Sequence, residues 1–279
     1  MTLPRTYLYV PGNSPDKLEG ALGRGADAVI ADLEDAVPMA EKDTALDTVL
    51  GWLQAHATDG PELWVRLNSG ERRLHEVARL RESPGLAGLV LAKTADAAEV
   101  TAVASISGEL ELMPMVESPG AVLDARALAA GPRVRQLQIG EVDLAGETRL
   151  QVGEDEAELA PHRALVVLGS AAAGIAPPPG PVSREIRDLD RFAVSTRRLI
   201  RQGFHGRVCI HPAQVAVVHE LMVPTPAQIA EAQETLVLLD EAEARGTGVI
   251  VDSAGRLVDP AVLHSARAVL ALARQSGVA

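Results

Sequence analysis

Short apolar runs of strand type alternate with longer runs of helical type about eight times between Thr6 and Pro212. The first run, Thr6 to Val10, closes on Pro11-Gly12-Asn13, and Ser14 and Pro15 then supply an N-cap and a first helical residue. Ala28 to Leu33, Leu63 to Asn68, Ala87 to Leu91, Leu110 to Val116 and Val134 to Gly140 follow as strands. Helical stretches lie between them, at Glu41 to Ala57, Glu71 to Leu80, Ala95 to Ile106 and Gly120 to Ala129. Ala157 to Ala173 and Leu189 to Gln202 continue as helices, and Val208 to Ile210 is a last short strand. Near-continuous apolar strands separated by helices require a parallel sheet covered on both faces. Two α/β architectures satisfy that pattern, a TIM (β/α)8 barrel and a doubly wound sheet. No G-x-G-x-x-G follows the first strand, and the near-even repeat favours the barrel. Its irregular member is strand seven, where Pro177, Pro178 and Pro179 have no N–H to donate.

Beyond Pro212 the pattern changes. Pro226 to Arg245 reads as one long helix, two short strand signals flank Ser253-Ala254-Gly255, and Pro260 to Ala273 reads as a final helix. The expected organisation is a catalytic barrel over residues 1–222 and a helical and hairpin extension over 223–279. The extension either caps its own barrel or packs on a neighbouring subunit.

Composition narrows the function. A hydrophobic fraction of 47% supplies a core, but aromatics are only 2%, which removes the stacking platforms single-stranded nucleic acid needs. The net charge of −12 argues against nucleic acid and anionic membranes as partners. A lone cysteine, Cys209, excludes an internal disulfide and a cysteine-based zinc site. With no apolar run of about 18 residues and no cleavable apolar leader, a soluble cytoplasmic protein is expected.

In a βα barrel chemistry sits where strands finish. The strand ends carry Arg5 near strand one, Asp32, Glu34 and Asp35 at two, Arg66 and Asn68 at three, and Lys93 at four. Glu117 follows at five, Asp143 at six and His211 at eight. Several bland uses compete with a functional one. Glu117 could be a salt-bridging rim residue, Arg66 could neutralise Asp32 or Glu34, Glu34 and Asp35 could cap the next helix, and His211 could be structural. The sharper reading pairs Glu117 with Asp143. Two carboxylates without clustered histidine or cysteine suit a hard cation, Mg2+ above all, which keeps water positions for a substrate to displace. A proton-sharing dyad is the alternative, opposed by the nearby cation Arg66. Lys93 raises a Schiff-base aldolase, which needs a lysine of lowered pKa, whereas an acidic pair beside it keeps the ammonium charged.

The segments Arg5-Thr-Tyr-Leu-Tyr-Val-Pro-Gly, Ala31-Asp-Leu-Glu-Asp-Ala-Val, Val65-Arg-Leu-Asn, Met115-Val-Glu-Ser-Pro-Gly, Ile139-Gly-Glu-Val-Asp-Leu and Gly203-Phe-His-Gly-Arg-Val-Cys-Ile-His-Pro resemble the citrate lyase β-subunit family of the HpcH/HpaI aldolase superfamily. The resemblance runs in order over most of the chain. It implies a homotrimeric or homohexameric TIM-type barrel with Mg2+ on Glu117 and Asp143, and Arg66 on the keto acid and the thioester oxygen. It also implies cleavage of a 3-hydroxyacyl thioester, of the citryl-, malyl- or citramalyl-CoA class, to an acetyl thioester and a 2-keto acid such as oxaloacetate. The thioester is carried on CoA or on an acyl carrier. Gly255-Arg-Leu-Val-Asp-Pro nominates Asp259 for the acetyl proton, acting in its own or a neighbouring subunit's site. Backbone N–H groups around Val142 and Asp143 would hold the distal carboxylate if a helix begins there. One departure stands out: relatives often carry a second basic residue four positions after the equivalent of Lys42, for the CoA phosphates, and this chain has Leu46. A CoA-independent class II keto-acid aldolase and a non-catalytic keto-acid-binding subunit are the competing functions.

Overall fold

In the computed structural model, residues 3–56, 60–246, 250–253, 255–258 and 262–278 are described. Thr6–Pro11 forms strand β1, and Pro15 at the first helical turn opens α1 (Pro15–Leu22). The alternation continues through β2 (Ala28–Asp32), α2 (Lys42–Ala55), β3 (Glu62–Leu67), α3 (Gly70–Leu80), β4 (Leu86–Leu91), α4 (Ala97–Ile106) and β5 (Glu111–Val116). The helix expected over 120–129 is broken at Asp124 into α5 (Pro119–Leu123) and α6 (Ala125–Ala129). Next come β6 (Gln138–Ile139), α7 (Glu141–Thr148), α8 (Ala160–Ala173), α9 (Leu189–Arg201), β7 (Arg207–Cys209) and α10 (Pro212–Met222).

Seven parallel strands pair in the order β6-β5-β4-β3-β2-β1-β7 in a curled, open sheet. The full eight-stranded ring expected from the repeat is not what the ladder shows. The proline segment over residues 176–182 forms no regular strand, because Pro177–Pro179 cannot donate. It still touches both sheet edges. Ala176 N–H donates to the Arg135 carbonyl at 3.1 Å, Gly180 N–H to the Gly206 carbonyl at 3.2 Å, and Val208 N–H to the Gly180 carbonyl at 2.9 Å.

Side chains alternate across a strand, so residues two apart share a face. On one face Tyr7, Ala28, Ile30, Trp64, Val90, Met113 and Met115 form a buried cluster. Gly88 makes room there: a Cβ would fall 2.4 Å from the Trp64 ring. Two residues further along the same strands, that face carries Tyr9, Asp32, Arg66 and Glu117. The other face, with Val29, Ala31, Val65, Leu89 and Leu91 all buried, takes the helices.

One compact unit covers Leu3–His219, and a second begins at Glu220. The second holds α11 (Pro226–Ala244), the antiparallel pair β8 (Ile250–Val251) and β9 (Leu257–Val258), and α12 (Leu263–Gln275). Thr225 and Gln228 form a reciprocal capping box at the start of α11. Arg256, between the short strands, reaches Glu231 at 2.6 Å and Asp252 at 2.8 Å.

Candidate active site at the strand ends

Arg66, next to last in β3, holds two carboxylates with its guanidinium. Its Nε and Nη2 donate to the two Asp32 oxygens at 2.7 Å each, and Nη1 lies 3.1 Å from Glu34 Oε2. The guanidinium carbon stands 4.9 Å over the Tyr9 ring centroid. Burial opposes its charge, but Tyr9 and the carboxylates of Asp32 and Glu34 together outweigh that and carry Arg66 above the usual arginine range. The neutralising use of Arg66 is therefore real. Asp32 also accepts from the N–H groups of Glu34 and Ala36 at 2.9 and 3.2 Å, which shapes the loop after β2.

Glu34 and Asp35 do not cap the following helix. The residue before α2 is Glu41, whose side chain makes no cap bond to the helix, while Glu34 turns inward to Arg66 and to Lys93 Nζ at 2.6 Å. Bonding to Glu34 holds the Lys93 ammonium above its ordinary range, the reverse of what a Schiff-base lysine requires. Lys93 has a left-handed φ of 51°, and its backbone N–H donates to Glu117 Oε1.

Glu117 is 6% exposed. Among the described residues it has that single hydrogen bond and no ion pair. Burial pushes its carboxyl up to about 7, and the charges of Asp143 and Glu34 add to the effect. Gly140 gives the carboxylate its space, since a Cβ there would fall 2.5 Å from Oε2. Gly140→Ala is thus expected to displace Glu117 and weaken divalent-metal affinity by about tenfold or more, measurable by titration calorimetry. An unchanged affinity would mean that the carboxylate position does not matter.

Glu117 shares a cavity of about 530 Å3 with Lys93, Val142, Asp143 and Glu147. Val142 and Asp143 are exposed in the first turn of α7, where backbone N–H groups have no intrahelical partner. Among the described residues no group of three or more His, Cys, Asp or Glu gathers for a metal. A buried, cation-free acid and an exposed one on the same cavity form a hard-oxygen donor pair with positions left for water, and that set fits Mg2+. A neighbouring cavity of about 420 Å3 is lined by Tyr9, Asp32, Arg66, Met115, Gln138 and Gly140, among others.

Not every strand-end residue joins this site. Arg5 precedes β1 and is bonded to Asp27, ahead of β2, at 2.8 and 2.9 Å, so it belongs to the opposite rim. Asn68 turns under the rim to the Leu33 carbonyl and buried Glu76. His211 Nδ1 accepts from Ala213 N–H at 3.2 Å, a local turn contact. Asp259 lies outside the described residues. Lys42 is buried, its Nζ committed to the carbonyls of Leu33 and Glu34 at 2.7 and 2.6 Å, with Leu46 buried one turn on. The sequence reading passed over Tyr9 and Gln138, whose side chains meet at 3.0 Å in the second cavity. Two-residue spacing from the core position Tyr7 was the signal for Tyr9.

The family model for HpcH/HpaI aldolase/citrate lyase matches residues 5–212. The chain is 32% identical over 271 residues to the (3S)-malyl-CoA thioesterase of Cereibacter sphaeroides, covering 96% of this chain and 94% of that one. It is 30% identical over 284 residues to citrate lyase subunit beta of Leuconostoc mesenteroides subsp. cremoris, with 97% and 93% covered. The solved structure of protein CitE from Mycobacterium tuberculosis, in complex with magnesium, acetoacetate and coenzyme A, superposes with a TM-score of 0.78 at 25% identity, over 99% of this chain and 98% of that one.

Proposed function

This chain belongs to the HpcH/HpaI aldolase/citrate lyase family, and from that premise we propose that it is a Mg2+-dependent carbon–carbon lyase of the citrate lyase β-subunit type. Its substrate is a 3-hydroxyacyl thioester of the citryl-, malyl- or citramalyl-CoA class, cleaved to an acetyl thioester and a 2-keto acid. The observation that carries the reading is Glu117, a buried carboxylate with no ion pair among the described residues, sharing a cavity with Asp143. The relative solved with magnesium, acetoacetate and coenzyme A supports the same ligand classes.

Glu117 and Asp143 hold the ion, which when bound supplies Lewis-acid polarisation of the keto oxygen. Arg66, fixed by Asp32 and Glu34, directs its remaining N–H toward the oxygen on which enolate charge develops. The first-turn N–H groups of Val142 and Asp143 orient the distal carboxylate of the keto acid. Asp259 delivers a proton to the enolate carbon in cleavage and removes it in synthesis. Asp259→Ala is expected to leave keto-acid binding intact while C–C turnover falls by about 10²-fold or more; a fully active variant removes Asp259 from the mechanism.

The segment over 176–182, bonded to both sheet edges, is read as the eighth stave of a TIM barrel. The expected assembly is a homotrimer or homohexamer, with Asp259, in the extension over 223–279, acting in its own or a neighbouring subunit's site. Cytoplasmic residence accords with the composition, and among the described residues no helix is long and apolar enough to cross a membrane.

A panel of citryl-, malyl- and citramalyl-CoA, each with Mg2+ and with chelator, tests the reading. The expected result is metal-dependent release of acetyl-CoA and keto acid; metal-independent turnover, or none with any thioester, overturns it. Thioester hydrolysis is a second reading, favoured by the malyl-CoA thioesterase relative. Free CoA and hydroxy acid without keto acid would select it.

A further inference from the structure

Little apolar packing holds α7, the helix that carries Val142 and Asp143. The strand before it, β6, is two residues long with two ladder pairs, and Leu144 is the helix's single buried residue. A helix of eight residues gains little stability from its own hydrogen bonds. Metal ligands nevertheless have to be held within about 0.5 Å of working geometry.

A buried ion pair supplies the missing anchor. Arg163 on α8 is 1% exposed and grips Glu141, the first residue of α7, through two parallel bonds. Its Nε donates to Glu141 Oε1 at 2.5 Å and its Nη2 to Oε2 at 2.9 Å. Nη2 also lies 2.9 Å from Glu156 Oε2. Glu156 in turn accepts from Ser195 Oγ of α9 at 2.9 Å and sits 3.3 Å from Arg198 Nη1. A two-pronged guanidinium–carboxylate bond fixes angle as well as distance, which a point charge does not. The first turn of α7 is tied in this way to two long helices behind it. Neither Arg163 nor Glu141 lines the cavity shared by Glu117 and Asp143.

We propose that the Arg163–Glu141 fork is a positioning device: it sets the first turn of α7 so that Asp143 and the Val142 N–H face Glu117 at metal-binding distance. The inference rests on the Glu117–Asp143 reading above and assigns Arg163 and Glu141 a role toward the ion without contact to it. The experiment uses the full-length chain with Mn2+ as the probe, followed by electron paramagnetic resonance, and hydrogen exchange of the α7 amides in parallel. Glu141→Gln keeps one acceptor edge and Glu141→Ala keeps none. The expected result is a graded loss of Mn2+ affinity, about tenfold or more for alanine and less for glutamine, with faster exchange confined to α7. Arg163→Lys, which keeps the charge and loses the fork, should behave like the glutamine variant. A lowered melting temperature with Mn2+ affinity within about twofold of wild type would make the fork merely structural and overturn the proposal. Failure of the wild-type chain to bind Mn2+ would instead sink the metal reading itself, and this inference with it.

Discussion

Glu117→Gln is expected to eliminate Mg2+-dependent keto-acid binding, to lower turnover by about 10³-fold, and at the same time to stabilise the metal-free protein above neutral pH. The catalytic half follows from the loss of an anionic ligand. The stability half follows from burial. The folded carboxyl titrates at about 7, above its ordinary 4.5, so it contributes stability that is fully present below pH 4.5 and is lost as pH rises through 7. The loss amounts to about 3 kcal/mol, which an uncharged glutamine does not incur. Calorimetric melting at pH 5 and pH 8, with and without Mg2+, checks both halves. Wild type should melt lower at pH 8 without metal and recover with it; the variant should show neither change. The same proton makes metal affinity fall by up to about tenfold per pH unit below pH 7, because the ion must displace it. If Glu117→Gln retained Mg2+-dependent oxaloacetate binding, the ligand assignment would be wrong.

Arg66→Met carries the second large effect, and here stability and chemistry fall together. The substitution strips the guanidinium from Asp32, 3% exposed, and from Glu34, which keeps its ion pair with Lys93. Breaking a buried pair by removing one partner costs about 3–5 kcal/mol, chiefly through the charge left behind. Turnover should drop by at least about 10²-fold as the enolate oxygen loses its donor. Arg66→Lys separates the two consequences: it keeps a positive charge but cannot fork Asp32 while also reaching Glu34, so most of the stability returns and little of the activity. Urea melts beside kcat and KM measure this. The double variant Arg66→Met/Asp32→Asn should recover stability beyond the sum of the single changes. Equal activity of the lysine variant and wild type would confine Arg66 to a structural role.

Much of the site was legible because a strand's period is local. Once Trp64 is assigned to the interior face of β3, Arg66 must follow it there, and Met115 places Glu117 in the same way. Helix boundaries were also legible, since Ser14-Pro15 and Pro226 carry their own start signals. The irregular places misled. Arg5 looked like a strand-end residue by proximity, but it stands at the start of β1, and only the direction of the parallel strand sends it to the far rim. The run Val134 to Gly140 reads as a full strand yet pairs with β5 in a ladder only at Gln138 and Ile139, with Val134 meeting Leu112 in an isolated bridge.

The sequence by itself determined the βα repeat, the acids and arginine at the strand ends, and the hard-oxygen character of any metal site, all of which depend on residue type and spacing along the chain. Only the tertiary structure decided which charges neutralise one another. That Arg66 forks Asp32, that Lys93 is spent on Glu34, that Glu117 is buried with no ion pair among the described residues, and that Arg163 grips Glu141 from another helix are outcomes of register and packing between residues far apart in sequence. The physical reason is that a backbone period sets the face a side chain takes, whereas its partner and its desolvation are set by whichever distant element packs against that face.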